Sequence, residues 1–167
     1  MIAKVFFWIL LTSLVICGIT RAIKRYVILE KECVGYLKRA ADANTIPLAK
    51  EELTKALKHI EKKGWTSGYT SLLWQTPDED LGFWYKNLKN SLDELNSLPE
   101  NASSLEKSNM LMKLRETLID QTSDGISVTF PTGLDVFPNN WAYGIWGWSS
   151  LLLAIVFRFV WWRWDYY

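Results

Sequence analysis

Histidine occurs once in this chain and cysteine twice, and no charged residue lies between Val5 and Thr20. The single histidine, His59, has no cysteine or second histidine near it in sequence, so no usual zinc or haem ligand set can be assembled around it. No glycine-rich phosphate loop, nucleophile elbow or His-Glu helical motif occurs. The sequence therefore predicts no catalytic residue, no cofactor site and no metal site, and it reads as a protein that is not an enzyme. A net charge of +1 gives neither the basic surface of a nucleic-acid binder nor an acidic tail. Cys17 and Cys33 fall about four turns apart on one continuous helical pattern, which excludes a disulfide between them. Cys33 reads as a small core residue.

The apolar residues, 49% of the 167, gather at the two ends. Val5 to Thr20 is one run, and Trp141 to Trp162 is a second whose only charge is Arg158. A helix needs about 20 apolar residues to cross roughly 30 Å of hydrocarbon. The second run meets this easily; the first meets it with Lys4 and Arg21 snorkelling at its ends. Six of the ten tryptophans lie in the last 27 residues. Trp141, Trp146 and Trp148 mark one end of the second run, and Trp161, Trp162, Trp164, Tyr166 and Tyr167 mark the other, the pattern of aromatic belts at two membrane interfaces. A basic start at Lys4, an apolar core and small residues near Cys17 and Gly18 also describe a secretory signal peptide; we read the segment as a signal anchor. Arg158, about one turn from Trp162, reads as snorkelling to the interface.

Between the runs the pattern is helical. Tyr26, Leu29, Cys33, Tyr36, Leu37 and Ala40 recur at spacings of three and four, so the first helix is expected to continue beyond the apolar run. Asn44-Thr45-Ile46-Pro47 breaks it and caps a second helix carrying Ala49, Leu53, Ala56, Leu57 and Ile60, which ends at Lys62-Lys63-Gly64. This pair, YLKRAADANTIPLAKEELTKALKHIEKKG, is similar to a tetratricopeptide helix pair with Ala40, Ala49 and Ala56 as the small packing residues. No second copy follows at that period, so no peptide-binding function is carried over.

Three acids, Asp78 to Asp80, precede an aromatic cluster. Thr76 reads as an N-cap, Pro77 as the first helical residue and Glu79 as the partner in a capping box, with the acids at the positive end of a helix running through Leu81, Trp84, Leu88, Leu92 and Leu95. On a helix the three carboxylates fan out over about 200° and do not converge on one ion. Gly82 is a place for a neighbour to approach. Ser103 to Glu106 is a second capping box, opening a helix expected to reach about Asp120. Beyond Asp124-Gly125, Ile126, Val128 and Phe130 alternate with polar residues, Pro131 to Gly133 turn, and Leu134 to Phe137 follow, which predicts a β-hairpin at about 126–137.

The expected architecture is mainly α: two transmembrane helices flanking a four-helix, antiparallel bundle-like soluble domain with a small β-hairpin before the second span. The divisions are 1–23 (anchor), 24–140 (soluble domain), 141–163 (second span) and 164–167 (tail). Residues 21–63 hold 11 basic and 6 acidic side chains, net +5, and residues 64–140 hold 5 and 11, net −6, so the halves should attract. Arg21, Lys24 and Arg25 outnumber Lys4 across the first span and favour a cytoplasmic domain; residues 122–141 lack Lys and Arg while Arg158 and Arg163 lie at the far end, which favours the opposite. With the anchor, the balance points to an extracytoplasmic domain on a bacterial inner membrane.

Three functions fit. The first is a subunit or assembly factor of a larger membrane complex, contacting lipid and other membrane proteins through small residues on the spans: Ser13, Cys17, Gly144, Gly147 and Ser150. Those residues could equally pack on each other within the chain. The second is a sensor or ligand-binding module that signals through a partner, with Trp65, Tyr69 and Trp74 as contacts. The third is a homo-oligomeric pore, for which the spans offer few polar positions.

Overall fold

The computed structural model describes residues 2–71, 73, 75–122 and 125–165. Among these residues the chain forms α1 (Ile2–Ala41), α2 (Ile46–Lys63), α3 (Leu81–Ser97), α4 (Ser104–Leu118), β1 (Ile119–Thr122), β2 (Gly125–Val128) and α5 (Asn140–Asp165), with single 3₁₀ turns at Pro77–Glu79 and Leu134–Val136. It is mostly helical, with one two-stranded antiparallel sheet. α1 and α5 are long and apolar enough to cross a membrane. The chain divides into a terminal unit, residues 1–27 with 135–167, and a middle unit, residues 28–134.

In the middle unit α2 packs on α3 and on the last turns of α1, and α4 packs on those turns and on α3. The core is made by the expected stripes: Leu29, Cys33, Leu37 and Ala40 on α1, Ala49, Leu53, Ala56, Leu57 and Ile60 on α2, and Leu81, Leu88 and Leu95 on α3 are all buried. Tyr26, placed on the same stripe by spacing, is exposed, because the α1 backbone is wound as a π-helix from Lys24 to Val34 and its faces drift from the 3.6-residue period. A Cβ at Gly35 would stand 2.8 Å from the carbonyl oxygen of Glu30, five residues earlier. Five is the spacing of π-type hydrogen bonds, and the missing side chain lets the wide turn pass into the α-helix Gly35–Ala41.

α2 starts at Thr45 with Pro47 in its first turn and ends on Gly64 at φ 71°. The Gly64 N–H donates to the Glu61 carbonyl and the Trp65 N–H to the Ile60 carbonyl, both at 3.0 Å, the paired bonds of a Schellman cap. The box at the start of α4 forms: the Glu106 N–H donates to Ser103 Oγ at 3.2 Å and the Ser103 N–H to the Glu106 carboxylate at 2.7 Å, which holds Glu106 below the ordinary carboxylate pKa.

Several expectations need correction. The Thr76–Glu79 box closes only the 3₁₀ turn; the helix proper begins at Leu81 with Asp80 as its N-cap, whose carboxylate accepts from the Phe83 N–H at 3.0 Å. Asp80 is extended there because its backbone pairs with Tyr69, the Leu81 N–H donating to the Gly68 carbonyl at 2.9 Å. This is the approach that Gly82 permits, with Ser67 Cα 3.7 Å from where its Cβ would lie. Leu92 is half-buried, not a core residue. α4 ends at Leu118, and Ile119 enters β1 with no loop between. The hairpin therefore lies earlier than 126–137: Ile119 pairs with Val128 and Thr122 with Gly125, while Leu134–Val136 is a 3₁₀ turn. Residues 129–132 instead tie the unit together: Trp84 Nε1–H donates to the Thr129 carbonyl at 3.0 Å, and Thr70 Oγ1–H donates to that of Thr132.

Within the middle unit three ion pairs stay inside one half of the charge split. Arg39–Glu52, Lys55–Glu51 and Lys113–Glu94 each join residues of one half. Glu52 is buried with its Oε1 bonded to both Arg39 and Lys55.

Candidate functional site

The terminal unit is an antiparallel pair, α1 against α5. Contacts further along one helix lie further back on the other: Phe6 with Phe157, Ser13 with Ser150, Lys24 with Tyr143. Most side chains of both helices face outward, among them Val5, Trp8, Ile9, Ile16, Ile145, Trp148, Leu152 and Phe159.

The seam is narrow and built from small residues. Cys17, Ser150 and Ala154 are buried in it. Ser13 Oγ accepts from the Trp146 indole N–H at 2.8 Å and lies 3.4 Å from Ser150 Oγ, so one hydroxyl links two side chains of the facing helix. Elsewhere the hydroxyls turn back on their own helix: Thr12 donates to the Trp8 carbonyl at 2.8 Å and Thr20 to the Cys17 carbonyl at 2.9 Å. Satisfying every polar group locally or across the seam is what apolar surroundings demand. Beside the seam, Trp8, Thr12, Ser13, Ile16 and Trp146 line an open groove of about 610 Å³.

The two ends of the pair differ. At one, the Arg21 Nε–H donates to Asp135 at 3.1 Å; the Asp135 carboxylate is buried, and its other oxygen has no hydrogen-bond partner among the described residues. Lys24 Nζ stands 4.9 Å from the Tyr143 ring. At the other, Phe6 stacks on Phe157 at 5.1 Å, Phe7 leans on Trp161 at 5.9 Å, and both Lys4 and Arg158 reach the Trp161 ring.

Of the five small residues predicted for packing, Ser13 and Ser150 meet across the helix pair and Cys17 is buried. Gly144 and Gly147 do not: a Cβ at either would have nothing within 4 Å. Of the predicted ligand contacts, Trp65 is buried, its ring edge-on to His59 at 5.5 Å, and Tyr69 is exposed. Trp74 lies outside the described residues, as do Tyr166 and Tyr167 of the aromatic belt. Burial beside Trp65 lowers the His59 pKa; Glu32, 3.5 Å away, opposes the shift and Lys62 and Lys63 add to it. Sequence reading missed the Trp146–Ser13 bond, having assigned Trp146 to an interface belt. The available signal was that an indole N–H facing an apolar neighbour helix needs an acceptor, and Ser13 is a hydroxyl on the only other apolar run.

Comparison with protein-family models, with curated proteins and with solved structures finds no match.

Proposed function

We propose that this chain is a non-enzymatic two-pass membrane protein that serves as a subunit or assembly factor of a larger membrane complex. In this reading α1 and α5 cross a bacterial inner membrane and residues 24–140 form a bundle-like helical domain on its extracytoplasmic side. The outward apolar surface of both helices supports membrane insertion, since a water-soluble monomer rarely carries so large an apolar patch. The observation that carries the subunit reading is the placement of Gly144 and Gly147. The chain's own partner helix occupies Ser13, Cys17 and Ser150 but leaves the two glycines uncovered between exposed Trp141, Ile145 and Trp148. Small residues in apolar surroundings are where a further helix approaches closely.

The test is purification of the tagged full-length protein from its native membrane in mild detergent. A membrane protein should co-purify in fixed proportion, and Gly144→Leu with Gly147→Leu should release it while the far-ultraviolet circular dichroism is unchanged. A lone monomer from native membranes overturns the reading.

A further inference from the structure

The groove beside the seam is a stripe of α1 closed by one residue of α5. Val5, Trp8, Ile9, Thr12 and Ile16 recur on α1 at spacings of three and four, and Trp146 faces them from the other helix. From Val5 to Ile16 the stripe runs about 16 Å along the helix axis, close to the ~15 Å of hydrocarbon in one leaflet of a bilayer. Trp8, Ile9 and Ile16 are exposed. The two hydroxyls at the groove are already engaged. Thr12 donates to the Trp8 carbonyl, and Ser13 accepts from the Trp146 indole and lies against Ser150 Oγ. The groove therefore offers apolar contact and needs no hydrogen bond in return.

We propose that this groove seats one hydrocarbon chain of a bilayer phospholipid, in the leaflet entered by the N-terminal end of α1. The inference rests on the reading that α1 and α5 cross a membrane. The chemistry of the groove narrows its occupant. A polar or charged ligand would strand its groups against hydroxyls that are already satisfied. A further helix approaches closely over small residues, whereas the walls here are two indoles and three branched side chains. On α5, with Ser150 facing α1, Trp146 lies about 40° to one side and Gly147 about 60° to the other. The glycines left for a partner helix thus belong to the opposite flank. A linear chain, one methylene wide, lies between bulky side chains and gains dispersion contacts from both walls, where a convex helix face supplies one.

The full-length protein is first floated with phosphatidylcholine vesicles, as wild type and as Thr12→Trp. Both should float; if neither does, the membrane reading and the groove fall together. The vesicles then carry a trace of phosphatidylcholine with a diazirine on one acyl chain, and the sites of light-induced insertion are mapped by peptide mass spectrometry. In the wild type, insertion at Trp8, Ile9 and Ile16 should exceed by several-fold that at Trp148 and Leu152, which are at least as exposed on α5. Thr12→Trp and, independently, Ile9→Trp fill the groove and should bring the remaining positions level. Thr12→Val keeps the size and loses only a hydroxyl turned on its own helix, so it should label as the wild type does. Level labelling in the wild type, or a preference that survives both Trp variants, overturns the seat and leaves the membrane reading standing. A polypeptide that co-purifies from native membranes and is released by Thr12→Trp would assign the groove to a protein helix and overturn the seat as well.

Discussion

The middle unit and the terminal unit hold their helices together by opposite means. In the middle unit, leucines and alanines on four elements are buried, and the polar groups at the boundary are caps and ion pairs, one of them on the buried Glu52. In the terminal unit, most large apolar side chains face out and the middle of the seam is a cysteine, an alanine, two serines and an indole N–H, with Phe6 on Phe157 and Phe7 on Trp161 at one end. Water explains the first, because burying apolar area releases it; on the reading that α1 and α5 cross a membrane, the second is what remains when the surroundings are as apolar as the helix and close approach and hydrogen bonds distinguish one contact from another. One chain carries both solutions, and each can be broken separately.

The largest effect should come from the middle unit's core. Leu88→Ala or Leu53→Ala should cost about 2 to 5 kcal/mol, seen as a marked fall in the thermal or urea midpoint of the full-length protein in detergent. Leu92→Ala, at a half-buried position, should cost clearly less; equal losses would mean that burial does not order this core. Next is Gly35→Ala. Alanine is the better helix former by about 1 kcal/mol, but the added Cβ meets the Glu30 carbonyl, so the net change should be destabilising by roughly 1 to 3 kcal/mol. Gly144→Ala, whose Cβ meets nothing, should be neutral or stabilising in the isolated protein, so opposite signs at the two glycines report the close approach at the wide turn.

In the terminal unit, Trp146→Phe removes one cross-seam hydrogen bond and should weaken the helix pair by about 1 kcal/mol or less. The pairing itself is checked by Ser13→Cys with Ser150→Cys in a Cys17→Ala, Cys33→Ala background, which should form an intrachain disulfide under mild oxidant. Failure to cross-link would remove the seam from the comparison. Smallest is a pH effect. Because burial lowers the His59 pKa, the unfolded chain binds its proton first as the pH falls below about 6.5. Stability should therefore be complete near neutrality and decline towards about pH 5, and His59→Gln should flatten that slope. Glu94→Ala, losing an exposed pair with Lys113, should stay within about 1 kcal/mol of wild type at every pH.

Much of the middle unit was legible because its signals are local. The cap at Ser103, the stop at Gly64 and the leucine stripes need only their own neighbours in sequence. The hairpin was misplaced because β pairing is not local. Ile126 to Val128 alternates clearly, but its partner, Ile119 to Thr122, continues the helical sequence of α4 and carries no alternation of its own. Leu134 to Phe137 has the composition of a strand, yet it pairs with no strand among the described residues and Leu134–Val136 closes as a 3₁₀ turn. Asp80 misled for a similar reason, since the bridge to Tyr69, eleven residues away, decides where α3 begins. At the site, composition found the small residues but not their division, because which face of α5 meets α1 depends on the register of the pair. Glu52 was invisible, as nothing along α2 marks one glutamate for burial.

The shared hydroxyl of Ser13 has a consequence for descent. A residue that serves two partners cannot drift alone: losing its oxygen strands the Trp146 N–H, and enlarging it pushes Ser150 away. Across related chains, positions 13, 146 and 150 should therefore vary as a set. An apolar residue at 13 should accompany a phenylalanine or leucine at 146, while Gly144 and Gly147 should follow whatever binds them from outside and change on a separate schedule.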